Sequence, residues 1–438
     1  MSKTLLRGGR VIDPASETDG VMDVALDAGA IGAIGKNLPA PSGCEVVDCE
    51  GMLVVPGLID PHVHLREPGQ EHKETIATGT LAAARGGFTT VVCMPNTTPA
   101  LDSPEIVRFV ADRAEHEGSC RVFCAAAASV GRQGERLTEF ALLAKAGAVA
   151  FTDDGDVIAS AGLMTQALRA ARHVGRPLMQ HCQEPTMTQG SAMHAGAVST
   201  RLGLGGWPRA AEEVIVERDI RLNRDIGASY HIQHVSSGGS VEIVRRARRD
   251  PAIGDRVTCE ATPHHLLLTD DACLGYDTRA KMNPPLRTDA DAQALREGVA
   301  DGTITVLGTD HAPHTAEEKA RDFEAAPFGI VGLETALPLY REALVETGAI
   351  DWARLIALLT WNPARLCGLD AHGLGRLEAG GPADVTVIDP EAVWTIESAR
   401  FASMGRSTPF EGWRVRGLAS RVYCAGRLTY AAGAEARA

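Results

Sequence analysis

Residues 53–65 read LVVPGLIDPHVHL, an apolar β-branched run that passes into Asp60-Pro61-His62-Val63-His64. The two histidines stand at i and i+2. Side chains on a strand alternate with period 2, so both imidazoles share one face. Two neutral imidazoles at the end of a buried strand make half of a transition-metal site. The plainer alternative is a pair of polar residues closing a strand. What separates the two is whether other strand ends supply the missing ligands.

Working outward from this run, short apolar segments recur between Ala-, Leu- and Arg-rich stretches. They are GLIDPHVHL, GFTTVVCMPN, CRVFCAAAAS, AGAVAFTDDG, RPLMQHC, ASYHIQHVSS, DRVTCEATPHH and GTITVLGTDHAPH. Helical patterns such as residues 74–85 and 163–174 lie between them. Strands alternating with helices imply parallel pairing. Eight such units over residues 56–367 predict an α/β (β/α)₈ TIM barrel, with an open doubly wound sheet as the alternative. The polar residues favour the barrel. The runs end in His64, Asn96, Asp154, His181, His234, His264 and Asp310, and a barrel gathers all such ends at one mouth. An open sheet gathers only a few of them.

Residues 1–55 and 368–438 have a different texture, with short strands punctuated by turn glycines. Two terminal β segments flanking a barrel pair most simply into one small β-sandwich. The final AAGAEARA reads as a frayed end.

Composition limits the function classes. Hydrophobic content of 45% with 46 glycines is that of an ordered α/β chain, and with aromatics at only 4% the core rests on Ala, Val, Leu and Ile. A formal charge of −13 argues against general nucleic-acid binding and requires local cations or metal for any anionic substrate. No apolar stretch approaches the ~20 residues of a membrane span, and the start lacks a signal-peptide core. Ten cysteines without a CxxC pair fit reduced thiols, so a cytoplasmic enzyme is expected.

If the strand ends meet, the metal candidates are His62, His64, an aspartate from Asp153-Asp154, His181, His234 and Asp310. Four imidazoles and two carboxylates exceed what one zinc needs, and they suit two metals sharing a bridging carboxylate.

His62-Val63-His64 after an apolar strand, single histidines on later strands and Asp310 after the eighth resemble the amidohydrolase superfamily. Finer motifs resemble its long bacterial dihydroorotase family: His64-Leu65-Arg66-Glu67-Pro68-Gly69, Met94-Pro95-Asn96-Thr97, Phe151-Thr152-Asp153-Asp154-Gly155, Met282-Asn283-Pro284-Pro285-Leu286-Arg287 and Thr309-Asp310-His311-Ala312-Pro313-His314. The resemblance spans nearly the whole chain. It implies two Zn²⁺ ions, one held by His62, His64 and Asp310 and the other by His181 and His234. An aspartate stands where many relatives carry a bridging carboxylated lysine; the family register favours Asp154 over Asp153. His181-Cys182-Gln183-Glu184 departs from the His-Cys-Glu-Asp common in relatives.

The implied reaction is the reversible cyclisation of N-carbamoyl-L-aspartate to dihydroorotate in pyrimidine biosynthesis. Arg66, two residues past His64, is placed to bind the ring carboxylate in bidentate fashion; the alternative is an ion pair with Glu67. Asn96 and His314 resemble the family's other carboxylate contacts, although Asn96 before Thr97-Thr98-Pro99 also suits a turn cap. Asn283 and the backbone at Phe328-Gly329 resemble its contacts to the ring amides, the latter by register alone. Asp310 is expected to be the catalytic proton carrier as well as a ligand. Residues 315–327 are expected to form a lid over the mouth, or else a solvated turn.

A homodimer, and docking on aspartate transcarbamoylase, are implied only by the resemblance. Two rival functions remain at this level. Another cyclic amidase (hydantoinase, dihydropyrimidinase or allantoinase) generally keeps the bridging lysine and needs no carboxylate-binding arginine. A non-catalytic dihydroorotase-like scaffold usually loses metal ligands, and all six positions are filled here.

Overall fold

A computed structural model describes residues 3–433; residues 434–438, most of the expected frayed end, lie outside the described part. Eight parallel strands run Leu58–Val63, Phe88–Cys93, Arg121–Ala127, Ala148–Thr152, Leu178–Gln180, Tyr230–Ile232, Val257–Ala261 and Val306–Leu307. Each pairs with the next in sequence. The sheet closes where Val63 bridges His311 in parallel and the His64 N–H donates to the His311 carbonyl at 2.9 Å. This is the TIM barrel.

Asp60 fastens the closure. Its buried carboxylate accepts the His62 N–H at 3.0 Å and the Thr309 N–H at 3.2 Å, tying the first strand to the end of the eighth. Burial raises its pKa to about 7 against these hydrogen bonds. The eighth strand is shorter than its sequence run. After Leu307 the chain passes Gly308, where a Cβ would lie 3.1 Å from Glu260 Oε2 and 3.4 Å from the His62 Cβ. Glycine lets the backbone come this close to the site.

The helices form where the sequence pattern places them. Ala161–Val174 starts at Ser160, whose hydroxyl accepts the Leu163 N–H, and stops at Gly175 with φ +66°. It buries Met164, Ala167, Leu168 and Ala171, one stripe at helical spacing. Ile76–Arg85 is capped by Thr75 and buries an alanine-rich face. Gly79 in that face leaves room for Leu65, since a Cβ there would sit 2.6 Å from Leu65 Cδ2. Leu65 is thereby held behind the mouth, between the two site residues His64 and Arg66.

The terminal segments meet as expected. Strands Thr4–Asp13, Thr18–Asp27, Ala30–Gly35, Glu45–Asp48 and Leu53–Pro56 join Val385–Thr395, Arg414–Cys424 and Arg427–Ala431 in one mixed eight-stranded sheet. Leu53–Pro56 pairs antiparallel with the first C-terminal strand, which is the seam between the two ends of the chain. Leu6, Val11, Val24, Leu26, Val54, Val385 and Tyr423 share one apolar cluster, so the faces of the expected sandwich are parts of a single hydrogen-bonded sheet. Leu369 and Leu374 pack instead with Ile59, Val92, Ala150 and Met179 of the barrel strands.

Candidate active site

The C-terminal strand ends bring the six candidate ligands into one buried cluster. His62 Nε2 lies 3.3 Å from Asp154 Oδ1 and 3.5 Å from Asp310 Oδ1; His64 Nε2 lies 3.4 Å from Asp154 Oδ2 and 2.9 Å from Asp310 Oδ1. His234 Nε2 is 3.4 Å and His181 Nδ1 3.7 Å from Asp154 Oδ1, and these two ring nitrogens are 2.8 Å apart. Two triads have ligand atoms spaced for a metal ion: His62, His64 and Asp310; and His62, Asp154 and His234. His181 adjoins the second triad. The neighbouring aspartates differ in where they face. Asp153 turns away and accepts the Ser129 N–H at 2.9 Å and the Ser129 hydroxyl, whereas Asp154 faces the four histidines.

The outer hydrogen bonds set how the rings face the cluster. Glu260, buried in the seventh strand, accepts from His62 Nδ1 at 2.5 Å. Asn96 Oδ1 accepts from His64 Nδ1 at 2.7 Å, and Gln183 Oε1 from His181 Nε2 at 2.9 Å. A neutral imidazole that donates from one nitrogen presents a lone pair at the other. The lone pairs of neutral His64 and His181 therefore point at a carboxylate oxygen and at another ring nitrogen, and His62 Nε2 faces two carboxylates. His62 Nε2 and Asp154 Oδ1 are buried with no hydrogen-bond partner. Acceptors converging in a dry site call for a cation, and nitrogen and carboxylate donors of this kind fit a divalent metal.

The electrostatics show where positive charge is favoured. Burial opposes charging His62, but Asp154, Glu260 and Asp310 outweigh it and hold its pKa well above the ordinary value. Burial and the neighbouring His234 lower His181 to about 4, leaving it neutral. Against the cost of burial, the surrounding histidines keep Asp154 and Asp310 below the usual carboxylate range.

Beside the cluster lies a cavity of about 380 Å³, lined among others by Arg66, Asn96, Asn283, His314, Phe328 and Gly329. Arg66 is buried and does not pair with Glu67, which instead accepts from Arg113 at 2.9 Å and from the Ile76 N–H at 2.9 Å. The Arg66 guanidinium donates to the Pro313 carbonyl at 3.1 Å and meets His314 Nε2 at 3.3 Å; among the described residues no carboxylate bonds to it. Burial lowers its pKa to about 10, still charged at neutral pH. His314 is pushed down to about 3 by burial and by the charges of Arg66 and Lys73, so it too is neutral. Asn96 does not cap its turn with the side-chain oxygen, which is engaged by His64, and its Nδ2 remains for the cavity. The Asn283 amide donates to Gln183 Oε1 at 3.3 Å, while its own oxygen is buried and unpartnered.

Sequence reading missed several residues. Glu260 also accepts from His231 Nε2 at 3.1 Å and from the His234 N–H at 3.1 Å. The signal was an acid inside the apolar run VTCEA. Arg132 lines the cavity and pairs with Asp156 at 2.5 Å, and Lys73 bridges His314 (3.4 Å) and Glu318 (3.0 Å). Two polar residues near the mouth lie outside the cluster. His311 is fixed by Glu74 at 3.4 Å and by the Gly332 N–H at 3.2 Å. His264, expected at a strand end, lies instead in the short helix Pro263–Leu267, where proline at the first position and Thr262 as cap start a helix, and it is buried with an unpartnered Nε2. Within residues 315–327, expected as a lid or a solvated turn, Ala316–Lys319 forms a capped helical turn and Pro327 lines the cavity.

A parallel barrel with imidazoles and carboxylates converging at its C-terminal mouth defines a metal-dependent hydrolase of the amidohydrolase type. Comparison with known proteins narrows the class. A family model described as Dihydro-orotase-like matches residues 51–240. The dihydroorotase of Pelotomaculum thermopropionicum is 48% identical over 97% of this chain and 98% of its own. That of Bacillus caldolyticus is 48% identical over 94% and 95%. Among solved structures, the L-hydantoinase from Arthrobacter aurescens superposes with a TM-score of 0.88 over 99% of this chain and 97% of its own, at 24% identity, and so shares the fold. The chain belongs to the dihydroorotase family of metal-dependent cyclic amide hydrolases. No helix among the described residues is long and apolar enough to cross a membrane.

Proposed function

We propose that this site interconverts N-carbamoyl-L-aspartate and dihydroorotate, with two zinc ions held by His62, His64, Asp154, His181, His234 and Asp310. The observation that carries the substrate assignment is Arg66, a buried guanidinium with no carboxylate partner, at the wall of a cavity that also reaches the ligand cluster. A planar cationic fork in that position matches a ring carboxylate, which the hydantoin and dihydrouracil rings lack. Asn96 Nδ2 and neutral His314 complete the carboxylate subsite. Asn283 and the backbone at Phe328-Gly329 face the ring amides.

When bound, the metals polarise the amide carbonyl and lower the pKa of water. The protein's own part is to position groups and move the proton. Asp310 Oδ1 touches His64 Nε2 at the inner edge of the cluster and stays ionised, so it can accept a proton from the attacking water. Water oxygen bonds to the ring carbonyl carbon, the carbon–nitrogen bond breaks, and Asp310 delivers the proton to the departing nitrogen. Ring closure is the same sequence reversed.

The test pairs substrate range with one variant. Turnover of dihydroorotate and carbamoyl aspartate, with none of dihydrouracil or allantoin, is expected. Asp310→Asn is expected to lower kcat by roughly 10²- to 10⁴-fold while retaining metal. Preference for an uncharged ring, or near-parental activity in Asp310→Asn, would overturn the reading. Metal analysis giving two zinc ions per chain checks the metal assignment.

A further inference from the structure

Two lysines outside the ligand cluster have surroundings that the reaction as described does not use. Lys281 and Lys319 are 3% and 6% exposed, and among the described residues neither forms an ion pair. Lysine is almost never buried this far unless its charge is met. Here backbone carbonyls meet it. Lys281 Nζ donates to Phe323 O at 2.6 Å, Glu324 O at 2.9 Å and Ala326 O at 2.7 Å. Lys319 Nζ donates to Pro327 O at 3.0 Å, to Gly329 O at 3.0 Å and, more weakly, to Lys281 O at 3.5 Å. An ammonium has three N–H donors, so both are saturated. All but one of their acceptors lie in residues 323–329.

That segment ends in the cavity wall. The Gly329 N–H donates back to the Lys281 carbonyl at 3.0 Å, and the Lys281 ammonium sits 4.5 Å from the centroid of the Phe328 ring. The edge of Trp207 meets the same ring at 6.1 Å between centroids. Gly329 has φ +148°, and a Cβ there would lie 2.5 Å from Ala312 O and 2.8 Å from His314 Cδ2. The wall is pressed directly against the carboxylate subsite. A second cavity of about 450 Å³ is lined by His314, Thr315 and Lys319.

We propose that Lys281 and Lys319 are positioning residues: they gather the carbonyls of residues 323–329 and thereby set the Phe328–Gly329 backbone against which the substrate ring binds. The proposal rests on reading Phe328–Gly329 as a substrate contact. Neither lysine lines the cavity beside the ligand cluster. Lys319 carries the greater cost, since burial and the charge of Lys281 push its pKa down to about 7.

The test uses the metal-loaded full chain with Lys281→Met, Lys319→Met and Lys319→Gln. Methionine keeps the stem but has no donor, and glutamine keeps N–H donors without charge. Hydrogen exchange by mass spectrometry reads the segment, and steady-state hydrolysis of dihydroorotate reads the wall. For both Met variants the expected result is faster exchange confined to residues 320–330. With it, KM rises roughly tenfold or more while kcat changes less than threefold. Lys319→Gln recovers part of the KM. Unchanged exchange in folded variants overturns the clamp. Raised local exchange with unchanged KM also overturns the proposal, and it places the fault in the substrate-contact reading. If Lys319→Met does not fold, Lys281→Met and Lys319→Gln carry the same two readouts.

Discussion

Glu260 offers the sharpest test of how the metal centre is held. Its carboxylate is 1% exposed and accepts three hydrogen bonds, from His62 Nδ1, His231 Nε2 and the His234 N–H. Replacing it by alanine would orphan three buried donors at about 1–3 kcal/mol each, confounding metal loss with unfolding. Glu260→Gln keeps the shape and leaves one acceptor oxygen for His62 Nδ1 and the His234 N–H, but it removes the charge and turns an N–H₂ donor towards His231 Nε2. A hydrogen bond to a charged group contributes about 1.5–3 kcal/mol against about 0.5–1.5 for a neutral one. The bond to His62, the metal ligand of the two imidazoles, thus loses about 1–1.5 kcal/mol. At about 1.4 kcal/mol per decade that is roughly a tenfold weaker metal affinity, at the lower end of the tenfold to 100-fold range for partners of metal-bound histidines. Competition titration against a chelator measures the affinity, and kcat/KM at saturating metal shows whether the chemistry survives. A metal affinity within threefold of the parent would refute the role given to Glu260.

Other outcomes follow from the same geometry. Arg66→Met removes a bidentate contact of about 3 kcal/mol, so KM for dihydroorotate should rise on the order of 100-fold with metal content unchanged; an unchanged KM would remove Arg66 from the carboxylate subsite. Asp154→Asn should lose metal while Asp153→Asn, bonded to Ser129 instead, should keep it; equal loss in both, by metal analysis, contradicts the assignment. Burial lowers His181, His194 and His264 to about 4. Between that value and the unfolded pKa of about 6.5 the unfolded chain binds more protons at these three sites, so their contribution to the stability of metal-free protein is fully present above pH 6.5 and is lost as pH drops towards 4, while Asp60, raised to about 7, contributes with the opposite slope. Urea unfolding of the parent and of His194→Gln across that range isolates one histidine, and identical slopes would contradict its part.

The sequence made the ligands legible because they obey simple rules. Imidazoles at i and i+2 on a strand face one way, and a barrel collects strand ends. What escaped reading depends on partners far along the chain. Glu260 and His62 are 198 positions apart, and their pairing follows only from strands one and seven both facing the barrel interior. Lys319 sits in Thr315-Ala316-Glu317-Glu318-Lys319, which has the composition of a solvated turn, yet the carbonyls that bury it come from loops without periodicity. Gln183, noted only as a departure from a common motif, turns out to orient His181 through a neutral amide oxygen that is shared with Asn283. Leu369 and Leu374 sit among the β-rich terminal residues in sequence but fill space under the barrel, because apolar burial follows the nearest core and not the local strand pattern.

Arg66 shows how an expected placement can have a different cause. On a regular strand, a residue two past His64 would share its face through the pleat. The strand ends at Val63, however, and Arg66 has φ +62°. Its guanidinium reaches the cavity through a left-handed backbone turn, with Leu65 held behind it by the space at Gly79. His234 at φ +31° and Asp310 at φ +48° share this conformation. For residues other than glycine it is sparsely populated, costs about 1–3 kcal/mol each and persists only where surrounding structure enforces it. The enforcing contacts are visible: the His64 N–H on the His311 carbonyl, Glu260 on the His234 N–H, and Asp60 on the Thr309 N–H. A regular strand end would send successive side chains to opposite faces. The left-handed turns redirect the chain so that ligands and carboxylate fork meet in one pocket, and the buried acids Asp60 and Glu260 hold them there.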